Sequence, residues 1–98
     1  MATLRIDLEV KDYDLWRAAF GKDAGGRGRH GARRHRIFQT AGDEHRVSLD
    51  IDFSTVMEAE QFLTVLRDQV WPSPDKAPAK IGAPSARIIE MVEAEDYR

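Results

Sequence analysis

Four carboxylates at alternating positions, Asp7 and Glu9 in one segment and Asp50 and Asp52 in another, are the residues best suited to chemistry by type and spacing. Each pair sits in a stretch where apolar and polar residues alternate, so each pair shares one face of a strand. Should the two strands be neighbours, all four meet. Carboxylates crowded in a partly dry space repel, which raises one pKa and makes a general acid or base; Asp7 and Asp50 are the proton-transfer candidates. Oxygen ligation of a divalent cation is the other chemistry open to them, but no known metal spacing occurs and no metal is expected. The structural alternative is an ion network in which Arg5, Arg34, Arg36 and Arg87 neutralise the four.

His35 is the third catalytic candidate. A pairing register that sets it opposite Asp50 makes an orienting pair for acid–base work; an ordinary strand histidine is the alternative. His30, His35 and His45 do not fall at helical ligand spacing. Tyr13 and Trp16 belong under a first helix, and Trp71, followed by Pro72, either covers a cleft or plugs the core edge. The basic run Arg27, Arg29, His30, Arg33, Arg34, His35 and Arg36 invites a phosphate or nucleic-acid reading, but Phe38 is the one aromatic near it and net charge opposes it. A solvated loop plus the ion network explains the run, and an anionic small ligand held by two of its arginines is the functional version. Gly25-Gly26-Arg27-Gly28 lacks the lysine and the preceding strand of a phosphate-binding loop.

The elements that position these residues are legible from periodicity. Leu4, Ile6, Leu8 and Val10 alternate with Arg5, Asp7 and Glu9 and predict a first strand. Asp12 is a good N-cap for a helix carrying Tyr13, Trp16, Ala19 and Phe20, with Gly21 as its stop. A loop with room for one helical turn runs to about Ala32. Arg33 to Gln39 reads as a second strand, Thr40 to Glu44 as a turn, and the segment from Arg46 to Phe53 as a third strand. The favoured hairpin register pairs Arg36 with Asp50, Arg34 with Asp52 and Ile37 with Leu49, joining opposite charges and apolar partners at once. Thr55 and Glu58 form a capping box for a second helix, whose stripe of Val56, Ala59, Phe62, Leu63, Leu66 and Val70 can lie on the sheet. All four prolines fall between Trp71 and Pro84 and predict a stiff loop. Ser73-Pro74 is able to start a helical turn within it. Arg87 to Glu93 is the expected last strand, with residues 94–98 a frayed tail.

The order strand, helix, strand, strand, helix, strand is the βαββαβ plan of a ferredoxin-like α+β fold: a four-stranded antiparallel sheet with two helices on one face. The chain of 98 residues is the size of one domain, 1–98. Its 15 basic and 17 acidic residues give a formal charge of −2, which offers no general attraction to nucleic acid or an anionic membrane. Absence of cysteine excludes disulfides and thiolate chemistry. Met1-Ala2-Thr3-Leu4-Arg5 enters a charged alternating segment at once, so no signal peptide is expected, and no apolar run approaches a membrane span. A cytoplasmic domain is the expectation. The uncovered sheet face should carry the carboxylates and arginines together with Phe38, Ile89 and Met91. A core this small is marginal, and a second copy stacked sheet to sheet would cover that face, which predicts a homodimer.

Val10-Lys11-Asp12-Tyr13-Asp14-Leu15-Trp16, Asp50-Ile51-Asp52-Phe53-Ser54, Glu58-Ala59-Glu60 with Phe62-Leu63, and the proline-rich loop into Ala86-Arg87-Ile88 resemble the dimeric α+β barrel superfamily over nearly the whole chain. The resemblance is nearest to its small antibiotic-biosynthesis-monooxygenase-like and cyclase-named members. It implies paired sheets forming a barrel, with a cleft between each sheet and its helices or loops; in such a barrel the region of Tyr13 and Trp16 lines the cleft, and with Trp71 and Arg36 these form the candidate ligand-binding set. Some such proteins oxygenate aromatic polyketides without a cofactor, and others degrade haem. The haem-degrading members use an asparagine on the first strand and a histidine after the second helix. Here Arg5, Asp7 and Glu9 occupy the first-strand positions and no histidine follows His45, so haem is not expected. The asparagine of the cofactor-free oxygenases has no counterpart either, since the chain contains none. No cofactor is expected. Two function classes follow: a protein that binds or converts a small organic molecule, and a non-catalytic dimeric module with a structural charge network.

Overall fold

The computed structural model describes every residue, 1–98. Strand β1 spans Ala2–Val10, helix α1 Tyr13–Gly21, strand β2 Arg34–Thr40, strand β3 Asp43–Phe53, helix α2 Val56–Val65 and strand β4 Lys80–Glu90. A 3-10 turn at Gly28–His30 interrupts the loop after α1, as its length allows. All pairings are antiparallel, in the order β2-β3-β1-β4. This is the ferredoxin-like α+β architecture.

Alternation decides which side is which. Ala2, Leu4, Ile6, Leu8 and Val10 of β1 and Val47, Leu49, Ile51 and Phe53 of β3 are buried on one face. Trp16 from α1 and Ala59, Phe62 and Leu63 from α2 complete the same core, so both helices lie there. Each helix starts where its cap dictates. The Leu15 amide donates to Asp12 Oδ1 at 3.0 Å, and Thr55 and Glu58 satisfy each other's amides at 3.1 and 3.2 Å.

The hairpin has the register that pairs Arg34 with Asp52, Arg36 with Asp50 and Ile37 with Leu49. Its connection is tighter than the sequence suggested: β3 begins at Asp43 rather than near Arg46, after the two-residue turn Ala41-Gly42. Between the pairs Gln39–Val47 and Thr40–Asp43 the strand bulges, and His45 Nδ1 there lies 2.9 Å from the Val10 carbonyl oxygen.

Three further expectations need correction. Strand β4 starts at Lys80, inside the supposed proline-rich loop, rather than at Arg87. A bulge between the pairs Asp7–Ser85 and Glu9–Ile81 takes up Ala83 and Pro84, with Gly82 supplying a φ of +66°. An edge strand tolerates proline because its outward amide needs no partner. The same strand ends at Glu90, so Met91 is off the sheet and the irregular tail begins there rather than at residue 94. Finally, the second helix does not run regularly to Val70: Leu66–Val70 form a π-helical turn. The Trp71 amide reaches the Leu66 carbonyl, five residues back, at 2.8 Å.

Candidate functional site

The open sheet face carries a saturated charge network. Arg5 grips Asp50 with two parallel bonds, Nε to Oδ1 and Nη2 to Oδ2, both 2.9 Å. Arg36 donates to both oxygens of Asp52 at 2.8 and 3.1 Å and reaches Asp50 Oδ2 at 3.4 Å. Thr3 Oγ1 adds a 2.7 Å bond to Asp52, and Arg34 Nε lies 3.5 Å from the same carboxylate. These partners leave Asp50 only 2% and Asp52 only 4% exposed within one chain. Hydrogen bonding from Arg5 is the largest influence on Asp50, and that from Arg36 on Asp52; both hold the carboxyls below their ordinary range against the opposing effect of burial. Crowding does not raise the pKa of Asp50 or Asp52, because each of the two meets a guanidinium before it meets another carboxylate. Asp7 stands apart and accepts a 2.6 Å bond from Ser48. No three His, Asp or Glu side chains come together to hold a metal ion.

On the helix side lies a different environment, a cavity of about 70 Å³. Its floor is Ile6, Leu8, Leu49 and Ile51 of the sheet, and Trp16, Ala19 and Phe20 of α1 form one wall. Opposite stand Phe62, the π-turn residues Leu66 and Val70, and Trp71. The π-turn adds one residue to the last turn of the helix, and its two apolar ends, Leu66 and Val70, both face this space. By size about two water molecules fit, but a lining this apolar gives them few partners. The space therefore suits an apolar occupant.

Its mouth is polar, with Asp23, Arg27, Lys76 and Lys80. Arg27 is brought there by a sharp reversal after α1, where Asp23 has φ +54° and Gly26 φ +70°. Its guanidinium lies 3.7 Å from the centroid of the Phe20 ring, and Nη1 donates to the Phe20 carbonyl at 2.9 Å, capping the helix end. Burial is the main influence on this guanidinium and pushes its pKa down; Asp23 opposes the shift. Phe20 stacks on Trp16 at 5.3 Å, and Tyr13 tilts against Trp16 at 5.9 Å. His35 meets the Phe20 ring edge-on at 5.1 Å. Desolvation, followed by Arg27 and Arg17, lowers its pKa, which favours the neutral imidazole.

The residues singled out from sequence thus fall on two sides of the sheet. Asp7, Asp50 and Arg36 lie on the open face. His35, Tyr13, Trp16 and Trp71 lie on the helix side, where Trp16 and Trp71 line the cavity and Tyr13 supports Trp16. His35 pairs across from Ile51, so it and Asp50 form no orienting couple. Sequence reasoning missed Arg27, Lys76 and Lys80 as cavity residues. Arg27 was one cation in a run of many, and the lysines sit among prolines; a loop that folds back leaves no periodic trace.

No protein-family model and no curated protein matches the sequence. Solved structures do match in shape. A candidate antibiotic biosynthesis monooxygenase from Nitrosomonas europaea superposes with a TM-score of 0.66 at 19% identity, over 95% of this chain and 100% of that one. A cofactor-independent oxygenase from Streptomyces nogalater, in a mutant form, gives 0.68 at 11% identity over 95% and 94%. A dimeric ferredoxin-like protein from an uncultured marine organism gives 0.65 at 14% identity, covering all of both chains. Identities this low speak for fold alone. In strand order, helix placement and chain coverage, this protein has the ferredoxin-like α+β fold of the antibiotic-biosynthesis-monooxygenase-like and dimeric ferredoxin-like proteins.

Proposed function

We propose that two copies of this chain pair through the open sheet face into an α+β barrel, and that each binds a small organic molecule in its helix-side cavity. The observation that carries the binding reading is the cavity itself, apolar within, charged at its mouth and bordered by both tryptophans of the chain. Pairing draws support from the similarly folded dimeric ferredoxin-like proteins and from Phe38, 48% exposed on the open face. In this reading Asp7, Asp50 and Arg36 serve the interface, and Trp16 and Trp71, backed by Tyr13, serve the ligand.

Native mass spectrometry tests both halves. A dimer is expected, together with a retained small molecule that leaves on denaturation and is missing from Ala19→Phe, which fills the cavity. A monomer contradicts the pairing. If the purified dimer is empty, titration with benzyl alcohol must change the tryptophan emission of the wild type and not of Ala19→Phe; unchanged wild-type emission sinks the binding reading.

Conversion of the ligand is a second reading, favoured by His35. Its imidazole, set edge-on against the cavity-lining Phe20 with the neutral form favoured, is a candidate to accept a proton, and one similarly folded protein is a cofactor-independent oxygenase. His35→Gln should then lower turnover of a bound substrate at least tenfold with little change in its affinity; equal turnover would leave binding as the whole function.

A further inference from the structure

Resting on the binding reading above, we propose that the ligand is a small apolar molecule with one anionic group of carboxylate type, its apolar part in the cavity and its anion on Arg27 at the mouth. Three cations, Arg27, Lys76 and Lys80, stand around that mouth against the single carboxylate of Asp23. Asp23 offsets part of this charge without filling the donors of Arg27. Its Oδ1 accepts the Arg27 backbone amide at 2.8 Å and forms an ion pair with Nη1 at 3.6 Å, longer than a hydrogen bond, which leaves a net positive mouth.

The guanidinium is held but not saturated. Its side chain is 18% exposed, Phe20 covers one face, and the Phe20 carbonyl takes one Nη1 donor. Nε and Nη2 have no protein acceptor, in contrast to Arg5 and Arg36, whose forks are filled by Asp50 and Asp52. A partly buried cation with its fork free is the usual recognition element for a planar anion, since two parallel bonds fix orientation and strengthen as water is excluded. Lys76 and Lys80 add charge but no such geometry; Lys80 Nζ already donates to the Gly82 carbonyl at 2.8 Å. The floor of Ile6, Leu8 and Ile51 offers an anion no donor, so the charged group stays at the mouth and the apolar part goes in.

A matched pair of probes tests this, benzoate against benzyl alcohol, which differ in charge and little in shape. Both tryptophans border the cavity, so their emission reports its occupancy. The wild type should bind benzoate roughly tenfold or more tightly than benzyl alcohol, a charged hydrogen-bond pair being of that order, with a preference that shrinks as salt is added. Arg27→Gln should bring benzoate down to the affinity of the alcohol, and Arg27→Lys should restore part of the difference. Equal binding of the two probes by the wild type overturns the anion proposal and leaves the cavity reading standing. Binding of neither removes both. A preference that survives Arg27→Gln but disappears in Lys76→Gln or Lys80→Gln overturns the assignment to Arg27. Because the first comparison uses the wild type, it decides the matter even if a variant fails to fold.

Discussion

Asp50 and Asp52 are the two charged residues that one chain buries by itself, and the guanidinium partners of each explain how that is tolerated. A buried carboxylate without a partner costs several kcal/mol; here Arg5 meets Asp50 with two bonds and Arg36 meets Asp52 with two. Asp50→Asn leaves the Arg5 fork half filled. Arg5 is 37% exposed, so water screens part of the loss, and the expected cost is about 1–2 kcal/mol in urea unfolding at pH 7. The pH dependence has a definite sign. Both folded-state pKa values lie below the unfolded value of about 3.9. The stabilisation is therefore fully present above about pH 4 to 5 and fades as pH falls through the depressed values. Wild-type stability should decline in that acid window and the Asp50→Asn curve should decline less; parallel curves would show that the pair does not govern acid sensitivity.

Among the elements, α2 shows most clearly how a local device sets the site: the Thr55–Glu58 box fixes where the helix begins and so where Phe62 and Leu66 meet the cavity. Thr55→Ala should cost about 1 kcal/mol, read as a lowered melting temperature, whereas Thr55→Ser should be near neutral. An unchanged melting temperature in Thr55→Ala would mean the box contributes nothing to α2. Such local devices are what the sequence displays openly: a cap three residues from its carboxylate, alternation along β1 and β3, and charges that select one hairpin register. The register in turn buries Asp50 and Asp52 and sends His35 to the helix side. Hidden from the sequence were features that depend on a distant partner. Gly82 and Pro84 look like loop residues because only the edge of β1 makes them a bulged strand. The π-turn at Leu66–Val70 continues a regular helical apolar stripe and departs from it in backbone bonding, as where the Trp71 amide finds the Leu66 carbonyl. Arg27 acquires meaning only after the loop folds it over Phe20.

The whole molecule divides its polar and apolar chemistry between the two faces of a single sheet. One face offers filled arginine forks, two buried aspartates and exposed Phe38, which suits a second copy of the chain. The other offers an apolar space with unfilled cationic donors at its mouth, which suits a small molecule. Everything proposed for the ligand requires its site to lie on the helix side. Intermolecular nuclear Overhauser effects between the ring protons of benzyl alcohol and the methyl groups of the labelled protein locate that site without intermediaries. The ring should contact the methyls of Ile6, Leu49 and Ile51 at the floor of the cavity. Contacts confined to Ile89 on the open face, or none at saturating probe, would overturn the helix-side site.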